Sequence, residues 1–349
     1  MFMGMINTGL EGVVVAETAL SMVDGERGEL IIAGYPVEEI APNATFEQTV
    51  AMLWNGGQPG TDRTLPPIAL EVLHHAARHG VDPMDALRMA AGTLEPHQLF
   101  PAFPTIVAAY WRLSHGQEPI APRPELSHAA NYLFMLSGET PSPERVRALD
   151  TYFNTVVDHG LNASTFTARI ITSTGSDLVS AIAGAIGALK GPLHGGAPGP
   201  ALDMVFEIGD VSRAESVLRR KIESGERLMG FGHRVYEVRD PRADVLAAAA
   251  ETLLKGNPLY ELAKAVERTA IRLLEEYKPG RRLQTNVEFY TALLLYGIGL
   301  ETPLFTPTFA ISRVAGWMAH CLEQRQANRL IRPQSVYVGP RGRRWLQPS

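Results

Sequence analysis

From residue 45 to residue 327, apolar side chains recur at helical spacing in one segment after another, and this constrains the fold more than any other feature of the chain. The segments lie near 84–94, 101–115, 124–137, 143–158, 177–189, 213–224, 242–254, 258–277, 286–298 and 307–327. Their starts carry capping chemistry. Thr45-Phe-Glu-Gln48 is a capping box, and Asp82-Pro83 and Ser142-Pro143 each set a capping side chain before a proline at the first helical position. Only residues 11–35 alternate apolar and polar positions, around Asp24-Gly25, which predicts a short β-hairpin. The expected fold class is therefore all-α with an amino-terminal hairpin. In the segment 177–189, Ala181, Gly184, Ala185, Gly187 and Ala188 leave small faces, which predicts a central helix approached closely by its neighbours.

A chain of 349 residues exceeds the roughly 250 to 300 at which single cores stop growing, so two domains are expected. With 45% hydrophobic and 20% charged residues it has the composition of a core-forming protein. A net charge of -5 gives no global basic surface for nucleic acid or an anionic membrane, so anionic ligands must be met by local arginines. The single cysteine, Cys321, excludes an internal disulfide, and no Cys/His cluster has zinc spacing, so no metal is expected. The amino end lacks the pattern of a signal peptide, and no uninterrupted apolar run of about 18 residues occurs. A cytoplasmic protein is expected.

Two histidines sit in glycine-rich turns: His194 in Gly191-Pro-Leu-His-Gly-Gly-Ala197 and His233 in Gly230-Phe-Gly-His-Arg-Val-Tyr236. Glycine lets the backbone approach a ligand, and a histidine held there can offer a ring nitrogen to a carbonyl oxygen. At a helix N-terminus such a ring stays neutral and donates. The plainer reading of His194 is a packed histidine beside a turn. Arg234, Arg239 and Arg242 follow His233 and would suit carboxylates or phosphates, or form a solvated basic loop. Arg313 shares an apolar helix face with Phe309, Trp317 and His320, so its head either reaches solvent or meets an anion. Thr285-Asn-Val-Glu288 reads as a further capping box, which would make Glu288 structural. His159, in Asp158-His-Gly-Leu-Asn162, reads first as a partner for a helix C-terminus.

Taken together these segments resemble the citrate synthase family over nearly the whole chain. The resemblance is carried by Gly9-Leu-Glu-Gly12, Asp24-Gly25-Glu26, Pro83-Met84, Leu87-Arg88, Asn162-Ala-Ser-Thr-Phe166, the two histidine motifs, and Asp240-Pro-Arg-Ala243. Phe309-Ala-Ile-Ser-Arg313-Val-Ala-Gly-Trp317 and Arg332-Pro333 complete the order. It implies an all-α homodimer with a large domain over 1–197 and 296–349 and a small domain over 198–295 that closes on the substrates. It further implies condensation of oxaloacetate with an acyl-CoA, usually acetyl-CoA, to citrate and free CoA, without metal or redox cofactor. His194 would donate to the thioester carbonyl and His233 to the ketone of oxaloacetate. His159, Arg242 and Arg313 would hold oxaloacetate, with Arg332 reaching in from the partner subunit. Leu228, Met229, Gly230, Phe231, Gly232, Arg239 and Arg281 would receive CoA.

Three departures from the family pattern stand on the thioester side. The family's catalytic aspartate is Glu288 here, which keeps the charge but adds one methylene, a displacement of roughly 1.3 Å. An error of about 1 Å can cost on the order of a hundredfold in rate. Glu237 reverses the charge of a position that is often basic, with Arg239, Arg281 and Arg282 near enough to compensate, and Pro198 replaces a common asparagine. The set expected to hold oxaloacetate is complete. The readings that follow are a citrate synthase with an altered base, a 2-methylcitrate synthase using propionyl-CoA, and a dicarboxylate-binding subunit that has lost efficient condensation.

Overall fold

The computed structural model describes residues 8–10, 12–195, 198–232, 236, 238–281 and 283–344. Near the amino end, β1 (Ser21–Asp24), β2 (Glu29–Ile32) and β3 (Tyr35–Pro36) form one antiparallel sheet in chain order. Ser21 faces Ile32 and Asp24 faces Glu29, so the Asp24-Gly25 signal does open the hairpin turn. Alternation sends Leu30 and Ile32 into the core, where β2 packs on helices.

The rest is helical. α1 (Val37–Ile40), α2 (Phe46–Leu53), α3 (Pro67–Arg78), α4 (Pro83–Ala91) and α5 (Leu99–Ser114) come first. α6 (His128–Ser137), α7 (Pro143–Val156), α8 (Ala163–Ser173) and α9 (Leu178–Leu189) follow. Then come α10 (Pro198–Ile208), α11 (Ala214–Glu223), α12 (Pro241–Leu253), α13 (Pro258–Tyr277), α14 (Val287–Ile298) and α15 (Phe305–Gln326). The fold is all-α with a small sheet. The caps read from sequence form as expected: Thr45 and Gln48 exchange both bonds of a capping box, and Asp82 and Ser142 accept from Met84 and Arg145 amides.

Besides the single turn of α1, three helices escape the periodicity. α8 is rich in Ser, Thr and Ile, residues of modest helix propensity, and is held by the Asn162 cap and by packing between α9 and α15. α10 opens with Pro198-Gly-Pro200, which reads as a loop, yet both prolines fall in the first turn where their missing amides cost nothing. α3 likewise begins at a proline, Pro67.

α15 runs through the core, with Ala310, Ile311, Val314, Ala315, Trp317 and Cys321 fully buried, and packs against α5, α7, α8 and α9. α9 is central as predicted: Gly184 lies against Ile171 and Thr167 of α8, where a β-carbon would force the Ile171 side chain to move. Helices α10 to α14 pack on one another and meet the remainder chiefly where α12 and α14 rest on α7. That seam places the carboxyl end of α7 opposite the amino ends of α12 and α14.

Candidate active site

The α15 side of the seam is built from buried groups tied to the backbone. Arg313 is 1% exposed, so the solvent alternative is excluded. Its Nε donates to the Val156 carbonyl at the end of α7 (2.6 Å), and its guanidinium lies 4.7 Å from the centre of the Phe309 ring. Burial pushes it down to about 10, so it stays charged at neutral pH. Nearby, Asp158 meets His320 Nε2 at 3.1 Å and accepts from Ser21 Oγ, which in turn receives the Gly160 amide. Burial works against the Asp158 carboxylate, yet His320 and Arg313 hold it below its usual range. This lattice fixes the Asp158–Asn162 loop that carries His159. His159 follows the carboxyl end of α7, and its Nε2 lies 3.1 Å from the Tyr236 hydroxyl.

His194 sits in the turn after α9, its amide bonded to Gly191 O and its ring 6.4 Å from that of Phe309 in a T-shaped arrangement. Burial first, then the Arg313 charge, push its imidazole down to about 4. The ring is neutral at pH 7, as expected, but for reasons of desolvation rather than a helix dipole. Nε2 lies 2.8 Å from Ser164 Oγ, which receives the Trp317 indole N–H at 3.1 Å. Ser164 has one proton and two acceptors for it, His194 Nε2 and Asn162 Oδ1 at 2.8 Å. When that proton points to Nε2, the imidazole proton resides on Nδ1, the tautomer that leaves Nδ1 as donor.

The opposite wall is made of caps and charge pairs. Phe231 pairs antiparallel with Thr285, Gly232 N donates to Gln284 O (2.7 Å), and Asn286 N donates to Gly230 O (3.0 Å). Gly230 has φ +88° and Phe289 so close that a β-carbon would stand 2.9 Å from its Cβ, a position only glycine fills. Asn286 donates through Nδ2 to Gly232 O (2.7 Å) and caps α14 by accepting the Glu288 amide (3.0 Å). The predicted Thr285–Glu288 capping box is thus corrected. Asn286 is the cap, and Thr285 instead donates to Glu267, a buried carboxylate that also receives Tyr290 OH and Arg239. A carboxylate that can bond outside its own helix drew Thr285 away.

Released from capping, Glu288 lines the cavity. Burial raises its carboxyl above the ordinary range; Arg242 and then Arg227 pull it back, and Asp240 pushes it up. Arg242 is buried and forks the Asp240 carboxylate through Nε (3.0 Å) and Nη2 (2.8 Å), while Asp240 caps α12 through the Arg242 amide.

His159, His194, Arg242, Glu288 and Arg313 thus line one cavity of about 370 Å³, together with Met229 and Gly232 of the predicted CoA set. Arg227, Asn162, Asn286 and Phe309 line it too. Sequence reasoning passed over Arg227, although it stands just before the Leu228–Gly232 run. Leu228 and Phe231 are buried supports, and Gly230 packs on Phe289. Arg239 is engaged by Asp244 and by Glu267 Oε1 (2.9 Å) and does not line the cavity. Arg281 is exposed. Arg332 lies outside the cavity, on a cleft of about 880 Å³ shared with Arg169, Glu323 and Arg329. His233, Glu237 and Arg282 lie outside the described residues. Among the described residues, no group of three or more His, Cys, Asp or Glu is placed to hold a metal ion, and no helix is long and apolar enough to cross a membrane.

Residues 9–334 match the family model described as "Citrate synthase, C-terminal domain". The chain is 37% identical to the citrate synthase of Haloferax volcanii, over 96% of each protein. Among solved structures, citrate synthase from Pyrobaculum aerophilum superposes with a TM-score of 0.89 at 35% identity, covering 98% of this chain and 94% of that one. The citrate synthase of Thermoplasma acidophilum, solved as a ternary complex with carboxymethyl coenzyme A and oxaloacetate, superposes with a TM-score of 0.86 at 30% identity, covering 98% of both chains.

Proposed function

From the premise that this chain belongs to the citrate synthase family of condensing transferases, we propose that it joins oxaloacetate to acetyl-CoA, with Glu288 as the base. The observation that carries this reading is the cavity in which a half-buried carboxylate, a neutral imidazole and two buried guanidinium groups converge from residues as distant as 194 and 313. Arg242 and Arg313 suit the two carboxylates of oxaloacetate, since a planar guanidinium binds each through parallel hydrogen bonds, and His159 lies beside them.

Glu288 takes a proton from the carbon next to the thioester carbonyl, and His194 donates a hydrogen bond to the enolate oxygen as charge develops there. The enolate carbon forms a bond to the ketone carbon of oxaloacetate, whose oxygen takes up a proton. His233 is assigned to that oxygen by its motif. Water then cleaves the thioester, releasing citrate and CoA. Burial of the carboxylate suits the task, because a base whose proton affinity is raised toward neutrality draws harder on a weakly acidic carbon. A partner subunit supplying Arg332, CoA contacts at Leu228–Gly232 and Arg281, closure of 198–295 over the cavity, and a cytoplasmic location belong to the same proposal.

The test is thiol release from acetyl-CoA and from propionyl-CoA in the presence of oxaloacetate. Faster release from acetyl-CoA is expected. Faster release from propionyl-CoA would make the chain a 2-methylcitrate synthase, and oxaloacetate binding without release from either thioester would leave a dicarboxylate-binding protein.

A further inference from the structure

Building on the assignment of Glu288 as base, we propose that Arg227 is its charge partner, a positioning residue that holds the carboxylate ready for a proton from across the cavity mouth. The backbone sets the two together. The antiparallel bonds between 230–232 and 284–286 direct the preceding segment, 227–229, toward the first turn of α14, and the tight seat of Gly230 on Phe289 fixes how closely the two backbones approach. Both Arg227 and Glu288 line the cavity.

The other charged groups around Glu288 are already committed. Arg242 of α12, the stronger of the two positive charges acting on Glu288, is forked onto Asp240, whose negative charge opposes it. Arg313 of α15, across the cavity, is bonded to Val156 O, and His194, on the loop after α9, is neutral at pH 7. His159, at the end of α7, faces Tyr236. Arg239 is held by Asp244 and Glu267. Arg227, exposed, makes no hydrogen bond or ion pair among the described residues, yet its charge reaches Glu288. A half-buried carboxylate picks up a proton easily and a protonated base cannot act, so this unbalanced positive charge widens the pH range over which Glu288 works.

Arg227→Gln and Arg227→Lys in the full chain test this through the pH profile of kcat/KM for thiol release at low and high salt. Arg227→Gln is expected to move the acid limb upward, losing about threefold in rate on that limb while the alkaline plateau is kept, with Lys restoring the profile. Salt should make the parent enzyme resemble the Gln variant, because an exposed charge is screened. A loss equal at every pH, seen as a higher KM for acyl-CoA, would overturn the proposal and make Arg227 a thioester anchor; an unchanged profile would overturn it outright. A second measurement needs no turnover: carbon-13 titration of Glu288, assigned with Glu288→Gln, should shift upward in Arg227→Gln, and an unshifted titration refutes the pairing. Absence of thiol release by the parent protein would count against the synthase reading alone, leaving this titration to judge the pair.

Discussion

The two walls of the cavity hold their functional groups by different means. On the α15 side, Arg313, Ser164 and His194 are fixed by buried bonds to backbone and to one another, with Val156 O, the Trp317 indole and the Asp158–His320 pair behind them. On the α12 and α14 side, Arg242 and Glu288 stand in the first turns of their helices, held by the caps Asp240 and Asn286 and by the short ladder to Gly230–Gly232. A wall of buried bonds suits a fixed anion site, because guanidinium geometry must match a planar carboxylate. A wall of caps and ladder fixes the backbone of α14 rather than the Glu288 side chain, so on the proposed assignment one additional methylene is to be absorbed in that side chain. On the proposed assignment of Glu288 as base, the contrast predicts that a change from aspartate to glutamate is better tolerated at 288 than any change at 313.

The largest effect should come from the α12 and α14 wall. Glu288→Gln is expected to lower turnover by about a thousandfold while calorimetry finds oxaloacetate affinity preserved, and Glu288→Asp to keep or raise the rate. Equal loss of binding and turnover in the Gln variant would abolish the division between the walls. On the α15 wall, Arg313→Ala should weaken oxaloacetate binding by roughly a hundredfold, since it removes charge-assisted bonds from a dry site. Ser164→Ala should cost about tenfold in kcat with oxaloacetate affinity intact, by releasing the His194 tautomer from its partner. An unchanged kcat there would reduce Ser164 to packing.

The smallest effect concerns stability, away from both walls. Burial pushes the Asp150 carboxyl of α7 up to about 7 from an ordinary 3.8, and its Oδ1 has no hydrogen-bond partner among the described residues. The folded protein therefore binds more protons than the unfolded chain between these values, and stability falls as pH rises from about 4 to 7. His194 acts oppositely: lowered from 6.5 to about 4, it costs stability as pH falls through that window. Asp150→Asn should raise Tm at pH 8 and have little effect at pH 4; a Tm gain that is the same at both would assign the benefit to packing.

The sequence by itself determined most of the helices, the hairpin, the caps at Thr45, Asp82 and Ser142, and the identity of the chemically capable residues, because these depend on periodicity and on side chains acting within a few residues of themselves. It also named His159, His194, Arg242, Glu288 and Arg313, although read alone each had a plain structural alternative. Tertiary structure decided among those alternatives. Arg313 became a buried cation because Val156 O and Phe309 receive it, and Glu288 was freed because Glu267, nineteen helix-distant positions before Asn286, draws off Thr285. Arg239, promising in sequence, was taken by Asp244 and Glu267, while Arg227 was left facing the cavity. The physical reason is common to all four: the state of a charged side chain is set by which distant groups arrive to share its burial, and no local pattern encodes those arrivals.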